Sequence, residues 1–284
     1  MPPALTLTEY TEPFSPWAWG SEGKLRRLRW CFGEHLRWRR VFIGTSDDVL
    51  PQSVVRHTGM PTGPRPAATE FESEAGSRAV VAAEMQGAGV GDRVLRRLRE
   101  AFFLRGVRFA SYEDLFDALR GLPGLSLEAL AAAVESELVS ERLRLHAEEA
   151  ARPAVGVRLL DEIGEGAGSA RFHAGRWRYA APTLRFSSGR DEVFLAGWTP
   201  WEEHESALHS LAGRALAARP EPGPQEALEC FASMADVEFE MVCGMRTDPP
   251  EGALRPDPEQ AFWFARQARG RSADGPLRSK GASA

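Results

Sequence analysis

Apolar and polar residues alternate over Leu5-Thr6-Leu7-Thr8-Glu9-Tyr10, the period of a short strand with a buried face. From Trp17 the period changes. Trp17, Leu25, Leu28 and Phe32 recur at helical spacing, and Gly33 stands where a helix would be capped. Between strand and helix lies Thr11-Glu12-Pro13-Phe14-Ser15-Pro16-Trp17-Ala18-Trp19. Ser15 is placed as the N-cap and Pro16 as the first helical residue, because each suits a turn whose N–H groups lack partners. Those N–H groups favour an anion at this spot, a thiolate included. Leu36 to Ile43 is rich in β-branched and aromatic residues and predicts a second strand. Strand, helix and strand in so short a run predict a βαβ unit with a parallel pair. Arg37, Arg39 and Arg40 are expected as edge or solvent charges on that strand.

From Ser46 to Pro153 the pattern is helical almost throughout. Gly59 to Pro66 is rich in Pro and Gly and predicts a loop. A helix is expected over about Glu74 to Gln86, with Ala79, Ala82, Ala83 and Met85 as its apolar surface. Asp92 is placed to cap the next, whose stripe is Val94, Leu95, Leu98, Phe102 and Phe103. Arg93, Arg96, Arg97 and Arg99 fall on that helix and are expected on a solvated face. Ser111 and Asp114 suggest a capping box. Ser126 opens the longest stretch, with a break expected near Ser136 or Ser140 and an end at Pro153.

Strand patterning returns after a Gly-rich loop at 164–168. Tyr179 to Phe186 and Asp191 to Gly197 predict a hairpin around Ser187-Ser188-Gly189-Arg190. Trp198-Thr199-Pro200-Trp201 then opens a helix to about Leu211, with Thr199 expected as its cap. Two further helices are expected, near 225–235 and 257–268. Residues 269–284 are polar and Gly-rich, and are expected to be disordered.

The chain has 284 residues, enough for a full core. Its net charge of −5 gives no electrostatic case for nucleic acid. No run of 18 apolar residues suggests a membrane span, and no signal peptide is visible at the N-terminus. The three cysteines, Cys31, Cys230 and Cys243, include no C-x-x-C pair and suit a reducing, cytoplasmic setting. His204 and His209 are five apart, off the spacing that puts two ligands on one helix face, and no metal site is expected.

The segment around Ser15 resembles the start of a DsbA-family thioredoxin fold, where an acidic-Pro-x-Cys-Pro-x-Cys-Trp run opens the first helix. Here Ser15 and Ala18 stand where those two cysteines would be. Ser15-Pro16-Trp17-Ala18-Trp19 is also similar to the opening of kappa-class glutathione transferases and 2-hydroxychromene-2-carboxylate isomerases. Gly59-Met60-Pro61 and Arg96-Arg97-Leu98-Arg99-Glu100-Ala101-Phe102-Phe103 resemble the helical insert of a bacterial dithiol-isomerase subgroup. Ala181-Pro182-Thr183 resembles the cis-proline segment of thioredoxin-like proteins.

These resemblances cover roughly residues 5–212. They imply an α/β, thioredoxin-like fold with a large inserted α-helical domain, to which the chain's own pattern adds a helical C-terminal extension. The thioredoxin-like domain is then expected at 1–45 with 155–212, the insert at 46–154 and the extension at 213–268. They also imply Ser15 as a catalytic residue that activates a bound low-molecular-weight thiol, glutathione or another. Pro16, Trp17, Ala18, Ala181, Pro182 and Thr183 would hold that thiol. The implied activity is transfer or isomerisation of an electrophilic substrate, with a homodimer as one expected assembly, and not dithiol–disulfide exchange. A rival expectation is a redox-inactive binding module for a peptide or protein. Trp17, Trp19, Trp198 and Trp201 suit either, or the core.

Overall fold

A computed structural model of the chain describes residues 5–44, 51–63, 68–162, 170–173, 175–213, 216–244, 250–255 and 262–265. The first strand, β1 (Leu5–Thr11), uses its alternation directly. Leu5 and Leu7 enter a core on one face of the sheet, and Tyr10 enters a second core on the other. After α1 (Pro16–Gly20) and α2 (Glu22–Phe32), β2 (Leu36–Phe42) returns parallel to β1. The hairpin β5 (Thr183–Ser188) and β6 (Asp191–Ala196) completes a sheet of order β2-β1-β5-β6, with β5 antiparallel to β1. Its turn has two residues rather than four, with Gly189 at φ 62°. Positive φ is what a two-residue hairpin demands, so Ser187 and Ser188 stay in the strand. Leu25 and Leu28 of α2, with Trp201 and Leu208 of α10 (Trp201–Ala212), pack over Leu5, Leu7, Leu184 and Phe186.

The interval between β2 and the later strands is helical wherever it is described. It contains α3 (Pro51–Thr58), α4 (Glu70–Glu84), α5 (Val90–Arg99), α6 (Tyr112–Leu119), α7 (Leu127–Val134), α8 (Glu137–Ala150) and α9 (Val155–Glu162). Helix α4 begins four residues earlier than its apolar run suggests. Thr69 and Glu72 form a reciprocal capping box, with bonds of 3.1 and 2.8 Å. Helix α5 opens at Gly89 (φ 73°), not at Asp92. Asp92 is drawn away to Arg29 (2.8 Å) and Arg40 (2.7 Å) instead. Ser111, Ser126 and Ser136 cap α6, α7 and α8 through their side chains. Helix α5 passes into a π-helical turn, Glu100–Leu104, which turns Phe102 towards Phe14 and Phe103 towards Trp19.

Several expectations fail outside this frame. Arg37 and Arg39 do lie exposed on the edge strand, but Arg40 does not. Its side chain is 6% exposed, among Glu9, Glu84 and Asp92. A small hairpin, β3 (Arg171–His173) and β4 (Arg176–Arg178), was not anticipated. Pro200, not Thr199, occupies the cap of α10. The C-terminal extension is mixed rather than helical. It runs α11 (Pro224–Phe231), β7 (Ser233–Ala235), α12 (Asp236–Cys243) and β8 (Phe262–Phe264). Where a helix was expected over 257–268, Phe262–Phe264 pairs antiparallel with β7. The tail 269–284 lies outside the described residues. Among the described residues no helix is long and apolar enough to cross a membrane.

Candidate functional site

Ser15 holds the N-cap of α1 in an extended conformation (φ −68°, ψ 122°). Its Oγ accepts the Ala18 N–H at 3.3 Å, and its carbonyl accepts the Trp19 N–H at 3.0 Å. Among the described residues Ser15 Oγ donates to none. The continuous helix expected from Pro16 to Phe32 is two helices. Ser21 breaks it, its hydroxyl donating to the Trp17 carbonyl at 2.9 Å. Ser15 therefore caps a helix of only five residues and is itself 2% exposed.

The Ala181–Pro182 peptide is cis. Tyr10 lies opposite Thr183 in the sheet, so Pro182 sits at the end of β1 from which the chain leaves for Ser15. The Thr183 hydroxyl donates to the Ala180 carbonyl at 2.8 Å, and the Gly197 N–H donates to the Pro182 carbonyl at 2.7 Å. That second bond places Trp198 beside the proline loop. His57, exposed on α3, bridges to both sides. Its ring centroid is 5.7 Å from Trp17 and 5.7 Å from Trp198, edge-on in each case. Trp17, His57 and Trp198 thus link the helix start, the insert and the cis-proline loop. His57 was not singled out from sequence, since a lone histidine on a short helix carries no local signal. Of the other tryptophans, Trp19 (0% exposed) and Trp201 (8%) are core. Trp19 stacks on Phe103 and donates to the Pro61 carbonyl at 3.0 Å, which ties the Gly59-Met60-Pro61 segment to α1. Pro16, Ala18, Ala181, Pro182 and Thr183 are buried, and Trp17 is half-buried.

Lys24 lies under this cluster. Its Nζ is 3.2 Å from the Trp198 ring centroid and donates to the Thr199 carbonyl. Burial pushes the ammonium down to about 7, against an opposing pull from Glu202 and Glu203. The unfolded chain keeps a lysine pKa of about 10.4. Between those values the unfolded state binds more protons, so the contribution of Lys24 to folding stability rises with pH from about 7 to about 10. Burial raises the three thiols, which titrate in the opposite sense above about 8.5. The test is therefore the difference: urea midpoints across this range should have a less positive slope in Lys24→Met than in the parent. An equal slope in both proteins would exclude Lys24 as its source.

The insert holds the Ser15 loop directly. Arg99, 1% exposed, donates Nε to the Pro13 carbonyl (3.0 Å). Its Nη2 donates to Thr11 Oγ1 (3.1 Å) and the Glu12 carbonyl (3.2 Å), and its Nη1 to Glu22. Arg96 is also buried, bonded to Glu238 at 2.7 and 3.1 Å and to Glu100 at 2.9 Å. The expectation of a solvated arginine face on α5 is therefore wrong for Arg96 and Arg99. Glu100 is a local partner of Arg96, but Glu22 and Glu238 come from distant elements, and a helical period cannot show them. Burial alone would raise the Glu22 carboxyl. Arg99, Arg96 and Arg26 override it and hold the group down at about 2.

The described cysteines are all unpaired. No cluster of three or more His, Cys, Asp or Glu placed to hold a metal occurs among the described residues.

A parallel β1–β2 pair, an antiparallel hairpin entered through a cis proline, and a helical insert after β2 define a DsbA-like thioredoxin fold. A solved structure from Nitrosomonas europaea, assigned provisionally as a protein disulfide isomerase, superposes with a TM-score of 0.52. It is 18% identical, covering 72% of this chain and 96% of that one. The cytosolic disulfide reductase DsbM from Pseudomonas aeruginosa gives a TM-score of 0.46 at 21% identity, over 74% of this chain and 92% of its own. Among curated proteins, the ClpXP adapter protein SpxH from Shouchella clausii is 22% identical over 268 residues, 88% of this chain and 81% of that protein. No protein-family model matches the chain.

Proposed function

We propose that this protein belongs to the DsbA family and works with a borrowed sulfur. A low-molecular-weight thiol of the glutathione type binds between the start of α1 and the cis-proline loop, and serves a transferase or isomerase reaction. The observation that carries this reading is the state of the Ser15 hydroxyl. It receives the Ala18 N–H and, among the described residues, keeps its own proton for a ligand. A free thiol has a pKa of about 8.5 and reacts as thiolate. A donated hydrogen bond favours the thiolate and brings that pKa towards neutrality. Pro16, Trp17, Ala18, Ala181, Pro182 and Thr183 surround the thiol in this reading, which supplies the nucleophile that the protein lacks.

One observation favours a second reading. Ser15 is 2% exposed, as a purely structural cap would be. In that case the Trp17–His57–Trp198 surface is the working part, and the protein is a redox-inactive binding module for a peptide or protein. A thermal-shift series with glutathione, mycothiol and bacillithiol at millimolar concentration separates the two. Stabilisation by one of them is expected, with a lowered thiol pKa in the complex. Ser15→Ala removes a hydrogen bond to a charged sulfur, about 1.5–3 kcal/mol, so turnover should fall about ten- to a hundredfold and affinity less. If no thiol binds, the module reading stands. If one binds and Ser15→Ala leaves its pKa unchanged, Ser15 is only a cap.

A further inference from the structure

Helix α1 is short, and both of its ends are tied to the same side chain. Arg99 reaches the Thr11-Glu12-Pro13 segment ahead of Ser15 and also Glu22, the residue after the Ser21 break. Glu22 has two further suitors, Arg96 at 3.5 Å and Arg26 at 3.8 Å. Both of these are occupied by Glu238 of α12, through Arg96 Nη2 at 2.7 Å and Arg26 Nε at 3.2 Å. Glu238 is 0% exposed and, among the described residues, bonds to Arg96, Arg26 and the Ala235 N–H rather than to the Ser15 loop. The bond from the Ala235 N–H, at 2.8 Å, fixes it at the start of α12. The Ser233 hydroxyl donates to Glu100 and the Arg26 guanidinium donates to the Ser233 carbonyl, so β7 is part of the same cluster.

We infer that Glu238 and Arg99 form a positioning relay, by which the docked C-terminal extension sets the orientation of α1 and hence of Ser15. Three arginines (Arg26, Arg96, Arg99) face three glutamates (Glu22, Glu100, Glu238) in this cluster. With the Glu238 charge removed, Arg96 and Arg26 turn to Glu22 and compete with Arg99 for it. The clamp on α1 then loosens, although nothing near Ser15 has been altered. This relay does not depend on what the site binds.

Hydrogen exchange of the full chain tests it, read by peptides spanning 12–19 and, as a control, 183–196. The control hairpin is held by its own β5–β6 ladder. Arg99→Lys keeps the charge but loses the fork, and Glu238→Gln keeps the shape but loses the charge. Each should raise exchange at Ala18 and Trp19 about tenfold more than in the hairpin, the scale of one lost bond to a charged group. Should either variant fail to fold, milder ones decide. Thr11→Val removes one Arg99 contact, and Glu238→Asp withdraws the charge by one methylene. Each should give a smaller rise confined to 12–19. Parent-like exchange at 12–19 in the Glu238 variants overturns the relay. So does an equal rise in both peptides, which would mark the cluster as general stability alone.

Discussion

Insulin reduction by the unmodified protein should run at the uncatalysed rate, and the paired replacement Ser15→Cys with Ala18→Cys should raise it well above that. The parent has no sulfur at either position, and Cys31, Cys230 and Cys243 are separate, unpaired thiols. What it retains is the frame around them. Residue 15 caps α1 and already receives the residue 18 N–H, and the cis-proline loop lies at the end of the neighbouring strand. A thiolate at position 15 accepts that same N–H, which lowers its pKa. Moving a thiol from a pKa of about 8.5 to about 7 raises its thiolate fraction at pH 7 from about 3% to about 50%, over tenfold. The thiol at 18 then resolves the mixed disulfide, and two electrons pass to the insulin disulfide. Dithiothreitol restores the dithiol. Ser15→Cys alone should stall as a mixed disulfide, since it has no resolving partner. Dithiol turnover by the parent, or no gain in the double variant, would falsify this account of the site.

The two ends of the site differ in how visible they were. Ser15 and Pro16 announce a helix start through local chemistry, and β1 announces its faces through alternation. The proline loop was found through resemblance, because Ala181-Pro182-Thr183 alone only says that a ladder bond is missing. The burial of Arg96 and Arg99 was hidden. On α5 they read as a charged face, and the groups that neutralise them sit on α2 and α12, 77 and 142 residues away along the chain. Asp92 was misread for the same reason, since a good cap by type is also a good partner for Arg29 and Arg40. Thr69 was legible and missed. Its capping box with Glu72 precedes the apolar run, so the periodic signal starts late. In the extension, Asp257-Pro258 argues locally for a helix start. The aromatic run Phe262-Trp263-Phe264 instead pairs with Ser233–Ala235, a contact no local pattern shows.

Glu238→Ala should cost the protein about 3–5 kcal/mol of unfolding free energy, the range for removing one partner of a buried ion pair. The loss leaves Arg96 and Arg26 facing each other and sharing Glu22 and Glu100. Neither guanidinium can deprotonate to escape, and neither has a route to water, as Arg96 is 9% exposed and Arg26 5%. The Ala235 N–H also loses its acceptor. By contrast Arg120→Ala breaks an ion pair to Asp117 whose side chains are 71% and 61% exposed. That change should stay within about 0.5 kcal/mol. Urea unfolding at constant pH measures both. The acid limb gives an independent check. Glu22 is ionised in the fold down to about 2, whereas a free glutamate titrates near 4.3. Its folded pKa is depressed, so the unfolded state binds the extra proton between those values. The contribution is complete above about 4.3 and is lost as pH falls through about 2. Glu22→Gln should therefore destabilise the protein at pH 7 and shrink the fall in stability between pH 5 and pH 2. A Glu238→Ala loss no larger than that of Arg120→Ala would mean that the arginines have found water, and that the cluster is open rather than buried.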